Sequence, residues 1–459
     1  MAAAPPPPPA VHPITVVGIG ADGWPGLADT SRQALRTAEV VIGGPRQLDL
    51  LPAEVTAARV AWPSPLRPAV PGLLAAHGGR RICVLASGDP MFFGIGRALA
   101  ETVGAKRLHV LPHPSSVSYA CARLGWPLDA VEVISVVGRP LESLNRALYP
   151  GRRLLVLSAD ARTPAAVAAL LTGRGLGASR LRVLEQLGGP AEGQLDGRAD
   201  DWAHPAGDPL NLIAVDCAGG PGGADSVDSA GSAGTPDRTG IVRNSLVPGL
   251  PDASYESDGQ LTKRHVRAAT LATLAPAPGE LLWDVGGGSG SIAVEWMRAH
   301  RDCRAVSVER DPVRAGRIAR NAAALGVPAL RVVTGPAPAA LAGLPTPDAI
   351  FIGGGLTAPG MLEACWDALP PGGRLVANTV TLESEALLTQ WYRRWGGELL
   401  RLAVAHAVPV GGFTGWRQAM PVTQWSAVKP AASEPLGSDR LAAEPAAAGP
   451  PTSPTAVQP

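Results

Sequence analysis

Residues 218–240, AGGPGGADSVDSAGSAGTPDRTG, hold almost nothing that a folded core could use. Gly, Ala, Ser, Asp and Pro dominate, and such a stretch buries too little apolar surface to offset the entropy of ordering it. It therefore cuts the 459-residue chain into two blocks. A second stretch of the same kind, PAASEPLGSDRLAAEPAAAGPPTSPTAVQP, runs from residue 430 onward. The opening MAAAPPPPPAVHP is a proline run expected to be extended and solvated. It has neither a basic n-region nor a continuous apolar h-region, so a secretory leader is not expected. The expected organisation is a disordered arm over 1–12, a domain over 13–217, a flexible linker over 218–244, a second domain over 245–429 and a disordered tail over 430–459.

Hydrophobic residues make up 46% of the chain and charged residues 17%, enough apolar material for two cores. The net charge is only +1 and no Lys/Arg cluster dominates, which argues against nucleic acid as a partner. A local basic pocket for a small anion is compatible with that total. Cys83, Cys121, Cys217, Cys303 and Cys365 are odd in number, widely spaced and without a CxxC pair. Neither a disulfide framework nor a metal site is expected from them; each sits among apolar residues as a small core side chain. No uncharged apolar run reaches membrane-spanning length. A soluble, cytoplasmic protein is the expectation, with Trp283, Trp296, Trp366, Trp391 and Trp395 at core spacings.

Both blocks alternate strand-like and helix-like runs, the pattern of α/β domains with largely parallel sheets. In the first, ITVVGIG, RRICVLAS, VEVISVVG, RRLLVLS and NLIAVDC read as buried strands. In the second, LLWDVGGG, RAVSVER, LRVVTG, DAIFIGGG and GRLVANTV are five strands separated by helical stretches. ELLRLAVAHAV and GWRQAMPVTQWSAVKP then follow as two strands with no helix between them. Five βα units closed by a β-hairpin is a Rossmann-like methyltransferase layout, whereas a dinucleotide fold would end on another βα unit.

The strongest local signal is Trp283-Asp284-Val285-Gly286-Gly287-Gly288-Ser289-Gly290, an apolar strand running through glycines into the helix SIAVEWMRAH. Glycines let the backbone turn tightly and a ligand approach without interference from Cβ. Glu309 ends the next strand, 19 residues beyond Gly290, the spacing at which a carboxylate meets ribose hydroxyls. A nicotinamide dinucleotide is the rival ligand, but Ser291 replaces the last glycine of GxGxxG. In the first block Gly18-Ile-Gly-Ala-Asp-Gly23 satisfies GxGxxG and Glu39 stands 19 residues after Gly20. Pro25 interrupts the segment where a helix should begin, and Glu39 precedes a strand instead of ending one, so a dinucleotide site is not expected there.

The Asp284-Val-Gly-x-Gly-x-Gly pattern resembles motif I of class I methyltransferases. Val247-Pro-Gly-Leu-Pro-Asp252, Gln260-Leu-Thr-Lys-Arg-His-Val-Arg267, Phe351-Ile-Gly-Gly-Gly355 and Asn378-Thr-Val-Thr-Leu-Glu383 extend the likeness to decarboxylating precorrin methyltransferase domains, over essentially the whole second block. That resemblance implies a site for S-adenosylmethionine lined by Thr262, Gly286, Gly287, Gly288, Ser289, Gly290, Glu309 and Ala337. One position departs from it: Gly335 is followed by Pro336, where relatives often carry an Asp near the adenine.

In the first block, Ser87-Gly-Asp-Pro-Met-Phe-Phe-Gly-Ile-Gly96, Pro112-His-Pro-Ser-Ser-Val-Ser118 and Pro209-Leu-Asn-Leu-Ile-Ala-Val215 resemble, in order, three motifs of the tetrapyrrole methylase family. The likeness implies a two-lobed fold with S-adenosylmethionine in the cleft, touched by Ser87, Gly88, Asp89, Phe92, Val117 and Ser118. The fold class expected is thus α/β throughout, a two-lobed tetrapyrrole methylase fold followed by a Rossmann-like class I methyltransferase domain.

Together the two resemblances imply methylation of a corrin-pathway tetrapyrrole at ring carbons 5 and 15, with loss of carbon dioxide from the acetate on carbon 12. Such a substrate carries many carboxylates, which Lys263, Arg264, His265 and Arg267 are expected to help hold. Asn378 and Glu383, placed just past the fifth strand, are candidate polar contacts near carbon 12. A homo-oligomer is expected. The alternatives are a two-domain NAD(P)-dependent oxidoreductase and a non-catalytic tetrapyrrole carrier.

Overall fold

The computed structural model describes residues 12–218 and 245–431. The expected arm, linker and tail lie almost wholly outside the described residues. Packing divides the chain into two compact units, one holding the elements before residue 245 and the other nearly all of those after it.

The first unit contains two five-stranded sheets. One is built from β1 (Ile14–Ile19), β2 (Val40–Gly43), β3 (Ala58–Ala61), β4 (Ile82–Ser87) and β5 (Leu108–Leu111), ordered β3-β2-β4-β1-β5. Every pairing in it is parallel. Its strands alternate between two buried clusters, Val16, Ile42 and Val84 on one face, Val17, Val41 and Leu85 on the other. Burial on both faces is why the inner strands β2 and β4 are nearly unbroken apolar runs.

The other sheet holds β6 (Glu132–Ser135), β7 (Arg153–Leu157), β8 (Arg180–Glu185), β9 (Gly193–Arg198) and β10 (Asn211–Asp216), ordered β6-β7-β10-β8-β9. Only β6 and β7 run parallel; the remaining pairings are antiparallel. The expectation of largely parallel pairing fails in this one sheet. A short connection joins β8 to β9, and it leaves no room for the crossover that a parallel pair requires.

In the second unit, β11 (Leu281–Val285), β12 (Arg304–Glu309), β13 (Arg331–Thr334), β14 (Ala349–Ile352) and β15 (Arg374–Thr379) are the five expected strands. The chain then makes four strands, not two: β16 (Glu398–Leu402), β17 (Ala405–Val410), β18 (Phe413–Gln418) and β19 (Val422–Val428). The main sheet runs β13-β12-β11-β14-β15-β19-β16, with β19 inserted antiparallel between β15 and β16. The β17–β18 pair forms a separate two-stranded sheet closed by Gly411 and Gly412. Trp283, Trp366, Trp391 and Trp425 lie in this unit's core, with Trp395 packed against it, and the chain's five cysteines are buried and form no disulfide with one another.

Candidate functional site

Parallel strands β1 and β4 pair through Ile19 and Ser87, so the loops after them open side by side at the carboxyl edge of the sheet. The Gly88 N–H donates to the Ile19 carbonyl over 3.1 Å. Gly88 has φ +56°, and a Cβ there would stand 3.1 Å from the Cα of Ser115 and 3.3 Å from the Pro114 carbonyl oxygen. Asp89 folds the next turn, its Oδ1 accepting from the Met91 N–H at 2.8 Å. Ser115 caps helix α1 (Ser116–Leu124) by accepting from the Ser118 N–H at 3.1 Å.

A cavity of about 1040 Å³ opens over these loops, lined by Ser87, Gly88, Asp89 and Phe92 of the expected set and by Ser115, Ser116, Tyr119 and Asn211. Val117 is buried in the core beneath, and Ser118 is exposed on the helix. Neither side chain lines the cavity, because the turn of α1 presents Ser115 and Ser116 instead. Sequence reasoning missed four cations that do line it, Arg46, Arg67, Arg97 and Arg139. Arg46 and Gln47 both reach Ser87 Oγ, and Arg139 stands over the Phe93 ring. Four arginines from four separate segments have no spacing that a single sequence could reveal.

In the second unit the glycine loop between β11 and helix α2 (Ser291–Ala299) shows why each residue is small. Gly286, Gly288 and Gly290 all have positive φ. A Cβ on Gly286 would meet the backbone of Gly354 at 2.8 Å, and one on Gly288 the Gln260 carbonyl oxygen at 3.1 Å. Glu309 is only 5% exposed; its Oε2 accepts from the Gly288 N–H at 2.8 Å and its Oε1 from the Asp311 N–H at 3.0 Å. The carboxylate at the end of β12 thus braces the loop directly. A cavity of about 590 Å³ lies over the loop, within the range of roughly 300–1,000 Å³ usual for small-molecule sites. Thr262, Gly286, Gly287 and Gly288 line it, with Gln260, Asp284, Phe351 and Gly353. Ser289 and Gly290 are buried behind the loop and Ala337 packs on the core, outside the lining.

Asp284 is buried at the cavity floor, where Ser307 Oγ donates to it over 3.2 Å. Burial pushes its carboxyl up to about 7, and the bonds from Ser307 and the Ala293 N–H only partly oppose that shift.

Of the four residues expected to hold substrate, Lys263 and His265 line the cavity mouth, and Arg264 is exposed outside it. Arg267 is corrected: it is 0% exposed and held by Glu295 at 2.6 Å, Asp252 at 3.2 Å and the carbonyls of Leu250 and Thr262. These bonds lock the segment before helix α3 (Arg264–Leu274) onto the domain. Glu295 also accepts from the Gly249 and Leu250 N–H groups and the Tyr255 hydroxyl. Asn378 lies within β15, not past it, and lines the cavity. It donates to Thr270 Oγ1 at 2.8 Å and accepts from Gln424 Nε2 at 2.9 Å. Glu383 is exposed in the first turn of helix α4 (Leu382–Trp395) and does not line the cavity.

A sheet ordered β13-β12-β11-β14-β15-β19-β16 around a braced glycine loop, following a two-lobed unit with its own glycine-lined cleft, has the architecture of a methyltransferase. Residues 13–202 match the Tetrapyrrole (Corrin/Porphyrin) Methylases and residues 253–429 the Precorrin methyltransferase domain. The chain is 48% identical over 416 residues to precorrin-6Y C(5,15)-methyltransferase [decarboxylating] of Sinorhizobium sp, covering 91% of this chain and 96% of that one. It is 49% identical over 420 residues to the Mycobacterium tuberculosis protein of that name, covering 91% and 100%. The crystal structure of the C-terminal domain of precorrin-6Y C5,15-methyltransferase from Rhodobacter capsulatus is 50% identical, covering 40% of this chain and 100% of that one, with a TM-score of 0.39. The chain belongs to the precorrin-6Y C(5,15)-methyltransferase (decarboxylating) family. The oxidoreductase alternative finds no support, since both matched families are methyltransferases.

Proposed function

We propose that this chain uses S-adenosylmethionine to methylate a precorrin of the precorrin-6B type at ring carbons 5 and 15, and that it decarboxylates the acetate on carbon 12. In this reading the first unit methylates carbon 5, while the second methylates carbon 15 and releases carbon dioxide. The observation that carries it is the nucleoside-sized cavity over the glycine loop, where Gly288 lines the space and its N–H is held by Glu309, itself outside the lining. The cradle fits S-adenosylmethionine: Cβ atoms at Gly286 and Gly288 would press on backbone across the loop, so the turn depends on their absence. No pyrophosphate need be held, and no nucleophilic side chain is required.

When bound, the cofactor supplies an electrophilic methyl whose bond to sulfur breaks, the pair staying on sulfur, as a ring-carbon pair forms the new bond. The protein's contribution is placement and exclusion of water. Lys263 and His265 at the cavity mouth suit the carboxylate-rich substrate, and the arginines of the first cleft do the same there. Asn378 is fixed by Thr270 and Gln424, so its amide is presented in one orientation toward the cavity. The five buried thiols suit a reducing, cytoplasmic setting. A homo-oligomer remains part of the proposal.

Anaerobic incubation with metal-free precorrin-6B and S-adenosylmethionine, followed by mass spectrometry, tests the reading. Two added methyls and one lost carboxyl are expected; a product with neither change would refute it.

A further inference from the structure

The β17–β18 hairpin buries none of its residues. A two-stranded sheet alone is marginal in water, yet one face of this one carries Val410 and Phe413 in the open, Phe413 at 85% exposure. Apolar side chains grouped on one exposed element mark a surface that something covers.

The register shows which face matters. His406 pairs with Arg417, Val408 with Gly415 and Val410 with Phe413, and directly paired residues share a face. His406 also lines the C-terminal cavity, as do Val404 and Met420 at the base of the hairpin. The face that holds His406, Arg417, Val408, Val410 and Phe413 is therefore a continuation of the cavity wall. Across the mouth stand Lys263 and His265, the His265 ring 6.0 Å from that of His406. Among the described residues, Asp284 is the single carboxylate in the lining, and it lies at the floor.

Size decides what covers this face. A cavity of about 590 Å³ takes one nucleoside-sized ligand, not that ligand and a macrocycle together. The macrocycle must then lie over the mouth, against whatever apolar surface projects there.

We propose that this hairpin face is the docking surface of the second unit for a flat polycarboxylate macrocycle, with Val408, Val410 and Phe413 against the ring and Arg417 and His406 on its carboxylates. The inference rests on the proposed function and extends its substrate site to residues that no motif marks.

The test uses the full chain with S-adenosylhomocysteine present and uroporphyrin, a polycarboxylate porphyrin, as the probe, titrated by fluorescence anisotropy. The wild type should show two binding events. Phe413→Ser and Arg417→Ala should each weaken one of them about tenfold, leaving the other event, the S-adenosylhomocysteine affinity and the circular dichroism unchanged. Both side chains are exposed, so the fold does not depend on them. Unaltered porphyrin binding in both variants overturns the proposal. So does unaltered binding with a wild-type oligomer broken into smaller species, which would assign the face to a second copy. Turnover of precorrin-6B by the wild type is read separately: its failure would sink the proposed function while the binding result still decides the hairpin.

Discussion

Glu309, Glu295 and Asp284 are three buried carboxylates with three different tasks. Glu309 spends one oxygen on the Gly288 N–H and the other on the Asp311 N–H. Glu309→Ala should weaken S-adenosylhomocysteine binding in the second unit by about tenfold to a hundredfold, the worth of a charge-assisted hydrogen bond of roughly 1.5–3 kcal/mol. Unchanged calorimetric affinity would remove it from the site. Glu295 instead neutralises wholly buried Arg267. Glu295→Ala leaves that buried charge with the half-buried Asp252 alone, and denaturant melts should show a loss of roughly 3–5 kcal/mol, since removing one partner of a buried pair is far costlier than never having built it. Asp284 couples stability to pH. Its folded carboxyl titrates near about 7, above the ordinary carboxylate value, so between roughly pH 4 and 7 the folded state holds a proton that the unfolded state has released. Its contribution is full below pH 4 and falls as pH rises through 7. Wild type and Asp284→Asn should diverge across that window by at most roughly 4 kcal/mol, and parallel pH profiles would show that the group does not titrate there.

At the scale of elements, the two glycine loops do equivalent work on unlike frames. Gly88 sits at φ +56° against the Ser115 backbone, and Gly288 at φ +59° against Gln260. Valine at either position combines backbone strain with a steric push on the facing segment. Gly88→Val should therefore give product methylated at carbon 15 and decarboxylated but bare at carbon 5. Gly288→Val should abolish methylation at carbon 15. Circular dichroism must show both variants folded; loss of all three events in folded Gly88→Val would mean that the loops do not serve separate reactions. The central strands were legible because they are buried apolar runs, and β1, β11 and β14 run straight into glycines. The hairpin was not, because β17 and β18 are exposed and β18 is half polar, so their pattern merges with that of β16 and β19.

For the whole molecule, the composition break between the blocks leads to a prediction of modularity. Fragments 1–217 and 241–459 should each unfold cooperatively and each bind S-adenosylhomocysteine by calorimetry. Each sheet has its own buried clusters, with no strand shared between units. An insoluble or non-cooperative fragment would show that the two cores need one another.

What the residues alone determined is the local chemistry: glycines where the chain must turn left-handed, an acid at ribose spacing, and apolar runs long enough for buried strands. These depend on neighbours in sequence, so a single chain displays them. Tertiary structure decided where side chains from distant segments meet. It drew Arg46, Arg67, Arg97 and Arg139 to one cleft, sank Arg267 into a core ion pair while leaving Lys263 and His265 at a cavity mouth, and threaded β19 between β15 and β16. A helix turn alone separates buried Arg267 from its exposed neighbours, and only the packed partner, Glu295, determines which of them faces inward.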